Sequence, residues 1–225
     1  MKSATNICEL DPAALEVAMK ELGVRSFHAH QIYKWIYQQG ITDFDQMSDL
    51  SLTLRRHLAK RFVVGTLTVS NRQRSTDGTE KFLLRLSDGL LIESVFIPEE
   101  ARGALCVASQ VGCTLTCSFC HTGTQRLIRN LTACEIVGQL MVARDTYGEW
   151  SSPPAKRKIS NIVMMGMGEP LFNFNEVAKA LKIIMDPEGI ALSKRRITLS
   201  TSGVVTMIKK VGEELGVGLA ISMHA

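Results

Sequence analysis

No apolar run in the 225-residue sequence approaches the roughly 20 residues that cross a bilayer, so no helical membrane span is expected. The start, MKSATNICELDP, lacks the apolar core of a secretory signal. A cytoplasmic setting with mostly reduced thiols is therefore expected. Six cysteines in such a compartment point to metal or redox chemistry rather than to structural disulfides. Low-complexity segments and internal repeats are also missing, and nothing in the composition suggests disorder. A strong charge imbalance is absent too: 26 Lys and Arg stand against 22 Asp and Glu, a net charge of +4. That excess alone does not identify a nucleic-acid binder. Its distribution is more informative, with basic clusters at Arg55, Arg56, Lys60 and Arg61, at Lys156, Arg157 and Lys158, and at Lys194, Arg195 and Arg196. Each is either solvated surface or a phosphate-contacting patch.

What is present fits a folded α/β chain. The hydrophobic fraction is 45% and the charged fraction 21%, ordinary for a soluble domain. The length suits one medium domain and a small accessory one. Asp11 can cap a helix starting at Pro12, with Leu15, Ala18, Met19 and Leu22 on one face and Gly23 as its stop. A second helix is expected from about His28 to Gln39, with Ile32, Trp35 and Ile36 inward, and a third after Ser51. These make a helical N-terminal accessory domain over 1–62. LTVSN, EKFLLRLS and LLIESVFIP, separated by turn signals, predict a small antiparallel sheet within 63–100. Over 101–225 strands alternate with helices: ALCVAS, ISNIVMM, RITLSTS and GLAISMH are the strands, and Thr132 and Glu135 have capping-box spacing at the first helix. Alternation of this kind implies right-handed crossovers and a parallel sheet.

The chemistry is concentrated in VGCTLTCSFCHTG. Cys113, Cys117 and Cys120 have C-x3-C-x2-C spacing directly after a strand. Three thiolates so placed can reach three irons of one cubane and leave the fourth open to a ligand, whereas most such clusters use four cysteines. The alternatives are a zinc site, which usually wants paired ligands, a ferredoxin completed by Cys134, and chance spacing. His121 adjoins Cys120 and would crowd a zinc site. Cys134 falls in the first turn of an amphipathic helix, where packing explains it. Cys8 has no assigned role.

C-x3-C-x2-C at the end of the first strand of a βα repeat resembles the signature of radical S-adenosylmethionine (SAM) enzymes. Three strings, CVASQVGCTLTCSFC, RNLTACEIVGQ and VMMGMGEPLFN, together with HQIYKWIY near the start, further resemble the RlmN family of adenosine methyltransferases. The resemblance covers essentially the whole chain. It implies a partial parallel (βα) radical SAM barrel, one 4Fe-4S cluster on Cys113, Cys117 and Cys120, and SAM bound at the open iron. It places Gly168, Glu169, Ser200, Ser222, Met223 and His224 at the SAM site. A carboxylate and a Gly-opened backbone suit an ammonium group, and strand carboxyl ends are where ligands sit in parallel α/β units.

The resemblance also assigns two catalytic residues. Glu93 would accept a proton. It shares a strand face with Leu91, Val95 and Ile97, and a carboxylate on an apolar face is costly to ionise. Cys106 would release the product; on residues alone it reads as a buried strand thiol. The implied reaction methylates carbon 2 of adenosine in 23S rRNA and some tRNAs through a methyl-cysteine in the C-terminal region, beyond Ala225. A disulfide bond and an external electron donor such as flavodoxin or ferredoxin are further implications. Two rivals stand beside it: the related carbon-8 methyltransferase, which Pro170 after GMGE argues against, and a non-catalytic metal- and RNA-binding module.

Overall fold

A computed structural model describes residues 4–100, 102–150, 152 and 156–223. Three helices open the chain: α1 (Pro12–Glu21), α2 (Phe27–Tyr37) and α3 (Leu52–Arg61). Their starts are local chemistry. Asp11 accepts from the Ala14 N–H at 2.8 Å, and Ser51 Oγ accepts from the Leu54 N–H at 3.2 Å, satisfying donors that a first turn leaves free. Gly40, which follows α2, has φ +70°, and a Cβ there would strike the Trp150 ring. The inward face of α2 carries Ala29, Ile32, Tyr33 and Ile36. Trp35 is only half-buried and donates to Asp49.

Seven strands form one mixed sheet. They are β1 (Thr68–Arg74), β2 (Glu80–Arg85), β3 (Leu91–Pro98), β4 (Gly103–Cys106), β5 (Asn161–Met164), β6 (Ile197–Thr201) and β7 (Gly218–Ile221). Their order is β7-β6-β5-β4-β3-β2-β1. Pairings from β1 to β4 are antiparallel, and those from β4 through β5 and β6 to β7 are parallel. The antiparallel strands expected before residue 98 are therefore an extension of the parallel sheet, hydrogen-bonded to it through β3 and β4.

Helices α4 (Ala133–Tyr147), α5 (Phe174–Met185) and α6 (Val205–Glu214) are the crossovers between parallel strands. The capping box at the start of α4 is complete: Thr132 accepts from Glu135 N–H, and the Glu135 carboxylate accepts from Thr132 N–H at 2.9 Å. Ile92, Phe96, Leu105, Ile162 and Leu199 are buried on the same core side as Ile136, Val137 and Leu140 of α4 and Val177 and Leu181 of α5. Gln139 sits inside this core. Its Oε1 accepts from Ser94 Oγ and from Ala108 N–H, each at 2.7 Å, and its Nε2 donates to the Ala108 carbonyl at 3.0 Å. It ties α4 to the chain just beyond β4. Gln139→Ala leaves the buried Ala108 groups unpaired, which costs about 1–3 kcal/mol. The expected outcome is a lower urea midpoint with an unchanged slope, and an unchanged midpoint would contradict the assignment.

The N-terminal helices dock on this framework through specific contacts. Asn6 Nδ2 donates to Cys134 Sγ at 3.2 Å, Tyr33 donates to Asp186 at 3.3 Å, and Lys34 pairs with Glu188 at 2.9 Å.

Candidate active site

The segment carrying the cysteines leaves β4 and is pinned at both ends by a short antiparallel ladder, Gln110–Val111 against Arg129–Asn130. Gly112 is required at its entrance. Its φ is +78°, and a Cβ there would lie 2.2 Å from the Arg126 carbonyl oxygen. Within the loop, Cys113 N–H donates to Gln125 O at 3.3 Å and Cys120 N–H to Cys117 O at 3.1 Å. A Cβ at Gly123 would lie 2.6 Å from the Cys117 carbonyl, so this backbone turn also depends on glycine. Arg129 anchors the ladder from outside. Its guanidinium reaches Asp88 at 2.6 and 2.8 Å and both oxygens of Glu135 at 2.8 Å.

Cys113, Cys117 and Cys120 line one cavity of about 250 Å3, with Met164 to Gly166, Gly168 to Pro170, Ser200 to Ser202 and Ser222 on its other walls. Among the described residues, no three His, Cys, Asp or Glu side chains converge tightly enough to hold a single metal ion. Three thiols spread around one cavity suit a cubane, which separates its ligands by its own width. The Leu115 N–H points at Cys113 Sγ from 3.3 Å, a contact that stabilises a ligating thiolate.

The opposite wall is the turn after β5. Gly168 has φ +97°, a conformation that favours glycine. Glu169 is 3% exposed, and its carboxylate accepts from Leu171 N–H at 3.1 Å and from Ser202 N–H and Oγ at 2.9 and 3.0 Å. Ser200 Oγ and Ser222 Oγ lie 3.2 Å apart at the carboxyl ends of β6 and β7. Four of the six residues expected at a SAM site, Gly168, Glu169, Ser200 and Ser222, thus meet at the cysteines. Met223 is 86% exposed and is not among the lining residues. His224 lies outside the described residues.

Cys106 is half-buried on β4, and burial pushes its thiol above the ordinary range. The thiol is therefore protonated at neutral pH. Site-resolved mass spectrometry of iodoacetamide labelling should show slow Cys106 modification at pH 7, accelerating only at a higher pH than a free cysteine requires. Labelling at pH 7 as fast as a free cysteine would contradict that. Glu93 lies on the same face, because Cys106 pairs with Val95, two residues along β3. The apolar, desolvated setting expected for Glu93 is not observed. Helix α4 covers the opposite face, where Ile92, Ser94 and Phe96 are buried; the Glu93 side chain is 44% exposed and paired with Lys81 at 2.9 Å. The implied disulfide is also corrected, since all six cysteines are free. Cys8 and Cys134, 126 positions apart in sequence, share a buried hydrogen bond that, with burial, keeps the Cys134 thiol protonated.

Sequence reasoning missed Gln110 and Ser202, which organise the two walls. Gln110 stood inside the string CVASQVGC, but nothing local marks it as bonded to residues 20 and 59 positions away. The basic clusters separate as well. Arg55 donates to the Asp45, Ser48 and Leu50 carbonyls and Arg61 pairs with Glu21, while Arg56 and Lys60 are exposed.

Two family models match the chain. Residues 107–224 match the radical SAM superfamily, and residues 5–64 match the ribosomal RNA large subunit methyltransferase N-terminal domain. The chain belongs to the RlmN family of radical SAM proteins. It is 58% identical over 221 residues to the dual-specificity RNA methyltransferase RlmN of Rhodospirillum rubrum, covering 98% of this chain and 52% of that protein. The corresponding protein of Paramagnetospirillum magneticum is 55% identical over 226 residues, covering 99% and 50%. A crystal structure of a radical SAM methyltransferase from Sphaerobacter thermophilus superposes with a TM-score of 0.88 at 41% identity, covering 98% of this chain and 64% of that one. The chain spans about half the length of the curated relatives it matches. Radical SAM membership brings one 4Fe-4S cluster and SAM as cofactors, and the thiols and the cavity described above suit both.

Proposed function

We propose that this chain carries the cluster, the SAM site and two catalytic residues of an RlmN-type methyltransferase acting on carbon 2 of adenosine in 23S rRNA and in some tRNAs. The carrying observation is that three cysteine thiols and a buried Gly168–Glu169 turn face one another across a single cavity. When bound, the cluster and SAM supply the radical chemistry that an adenine carbon without a lone pair requires. The residues of the chain do the rest. Cys113, Cys117 and Cys120 hold the cluster, and the Gly168–Glu169 turn receives the amino-acid end of SAM. Glu169 has both oxygens anchored by protein donors, so it presents a fixed carboxylate to an ammonium group. Ser200 and Ser222 offer hydroxyls beside it, and Met223 and His224 follow directly in sequence.

Glu93 accepts the ring proton on its carboxylate, and the ion pair with Lys81 keeps that oxygen oriented. Cys106 lies on the same face of the sheet and acts in product release: its thiolate attacks the sulfur that links protein to base, forming an S–S bond as the carbon–sulfur bond breaks, and the electron pair passes to the released carbon, which takes up a proton. Its raised thiol means that it must give up a proton at Sγ before it attacks. The target base is splayed from its RNA to reach these groups, and Arg56 and Lys60 on α3 are exposed to meet phosphates. An external electron donor of the flavodoxin or ferredoxin kind and a cytoplasmic location complete the reading. No helix among the described residues is long and apolar enough to cross a membrane.

The test is anaerobic reconstitution of the chain with iron and sulfide, followed by absorption and SAM-binding measurements. A brown, SAM-binding protein is expected. A colourless protein that takes up zinc instead would overturn the reading. Nucleoside mass spectrometry with the full-length enzyme then distinguishes methylation at carbon 2 from carbon 8.

A further inference from the structure

Gln110 is fully buried, at 0% exposure, and its side chain lies between the two walls of the cavity without lining it. A primary amide offers two donors and an oxygen with two lone pairs. Here all four are engaged. Oε1 accepts from Glu169 N–H at 3.0 Å and from Thr114 N–H at 3.3 Å. Nε2 donates to Asn130 Oδ1 at 2.8 Å and to Thr114 Oγ1 at 2.9 Å. Thr114 directly follows the first cluster cysteine, Asn130 is in the ladder that pins the cysteine loop, and Glu169 is the carboxylate of the opposite turn. The close approach is built in, since a Cβ on Gly168 would sit 2.5 Å from Gln110 Cβ. From Glu169 the chain of bonds continues to Ser202, in the turn after β6.

We infer that Gln110 is a positioning residue that holds the cysteine loop and the Gly168–Glu169 turn in a fixed mutual arrangement, so that the iron left open by the cysteines and the carboxylate wall face SAM together. This rests on reading the cavity as the SAM site. Gln110 does not line the cavity; it acts through Thr114 and Glu169. A carboxylate could not replace it, because Glu at this position has no N–H for Asn130 and would bring a second acid beside Glu169.

The test uses the reconstituted chain and needs no turnover. Iron and sulfide content report the cluster, equilibrium dialysis reports SAM affinity, and electron paramagnetic resonance of the reduced cluster, with and without SAM, reports contact between them. Gln110→Ala should keep the parent's iron content and bind SAM roughly ten-fold more weakly, the scale of about one lost buried hydrogen bond. Its cluster spectrum should change on SAM addition only at correspondingly higher SAM. Gln110→Met, which keeps the side-chain volume, carries the same expectation if the alanine variant fails to fold. Asn130→Ala removes one link but leaves the bond to Glu169, so its SAM affinity should stay within a few-fold of the parent. Parent-like SAM binding in Gln110→Ala or Gln110→Met overturns the assignment. So does loss of fold in both, which would make Gln110 a framework residue. A parent chain that binds neither cluster nor SAM would instead overturn the function proposed above.

Discussion

Replacing Cys113, Cys117 or Cys120 with alanine will remove essentially all cluster iron from the anaerobically reconstituted chain, while Cys8→Ala and Cys134→Ala will retain it. Each of the three supplies one of only three protein thiolates at the cavity. A cubane already short of its fourth cysteine has no spare ligand to recruit. Cys106 is on the strand before the loop, and Cys8 and Cys134 are hydrogen-bonded to each other in the core beneath the N-terminal helices. The measurement is iron and acid-labile sulfide per chain, with the absorption spectrum as a second readout. Loss of iron in Cys134→Ala with retention in Cys113→Ala would reverse the ligand assignment. Cys8→Ala and Cys134→Ala should lose stability instead, because each deletes a buried group and one of its partner's hydrogen bonds.

The second large effect concerns Cys106 in the full-length enzyme. Cys106→Ala should leave iron content and SAM binding intact but block product release, so that RNA covalently attached to protein accumulates. The structural basis is separation of roles by position. Cys106 sits on the open face of the sheet, beside Val95 and Val163 and on the same side as Glu93, and it does not line the cavity that holds the three ligand cysteines. The readout is a protein band of reduced mobility that RNase restores. Wild-type turnover by the variant would leave Cys106 as a packing residue of β4.

The division between what was legible in the sequence and what was not follows the range of the interactions. Asp11, Ser51 and Thr132 cap helices through bonds to residues three positions on, so the starts of α1, α3 and α4 were readable from local spacing. The cysteine triplet spans eight residues and carries its meaning in that spacing, and the alternation of strands and helices after residue 103 follows from two hydrophobic periods. The motif strings added the family and most of the cavity wall. Glu93 shows where local reading stops. Period 2 places Glu93 with Leu91, Val95 and Ile97, but only packing of α4 against Ile92, Ser94 and Phe96 decides which of the two faces is buried. The contact of Cys8 with Cys134, the saturated amide of Gln110 and the spending of Arg55 on three carbonyls were invisible for the same reason. By itself, then, the sequence determined the element types, the cysteine triplet proposed to hold the cluster, and the family. Tertiary structure alone decided which face of the sheet is open, which cations remain exposed, and which side chain joins the two walls of the site, because those depend on pairings between residues far apart in the chain.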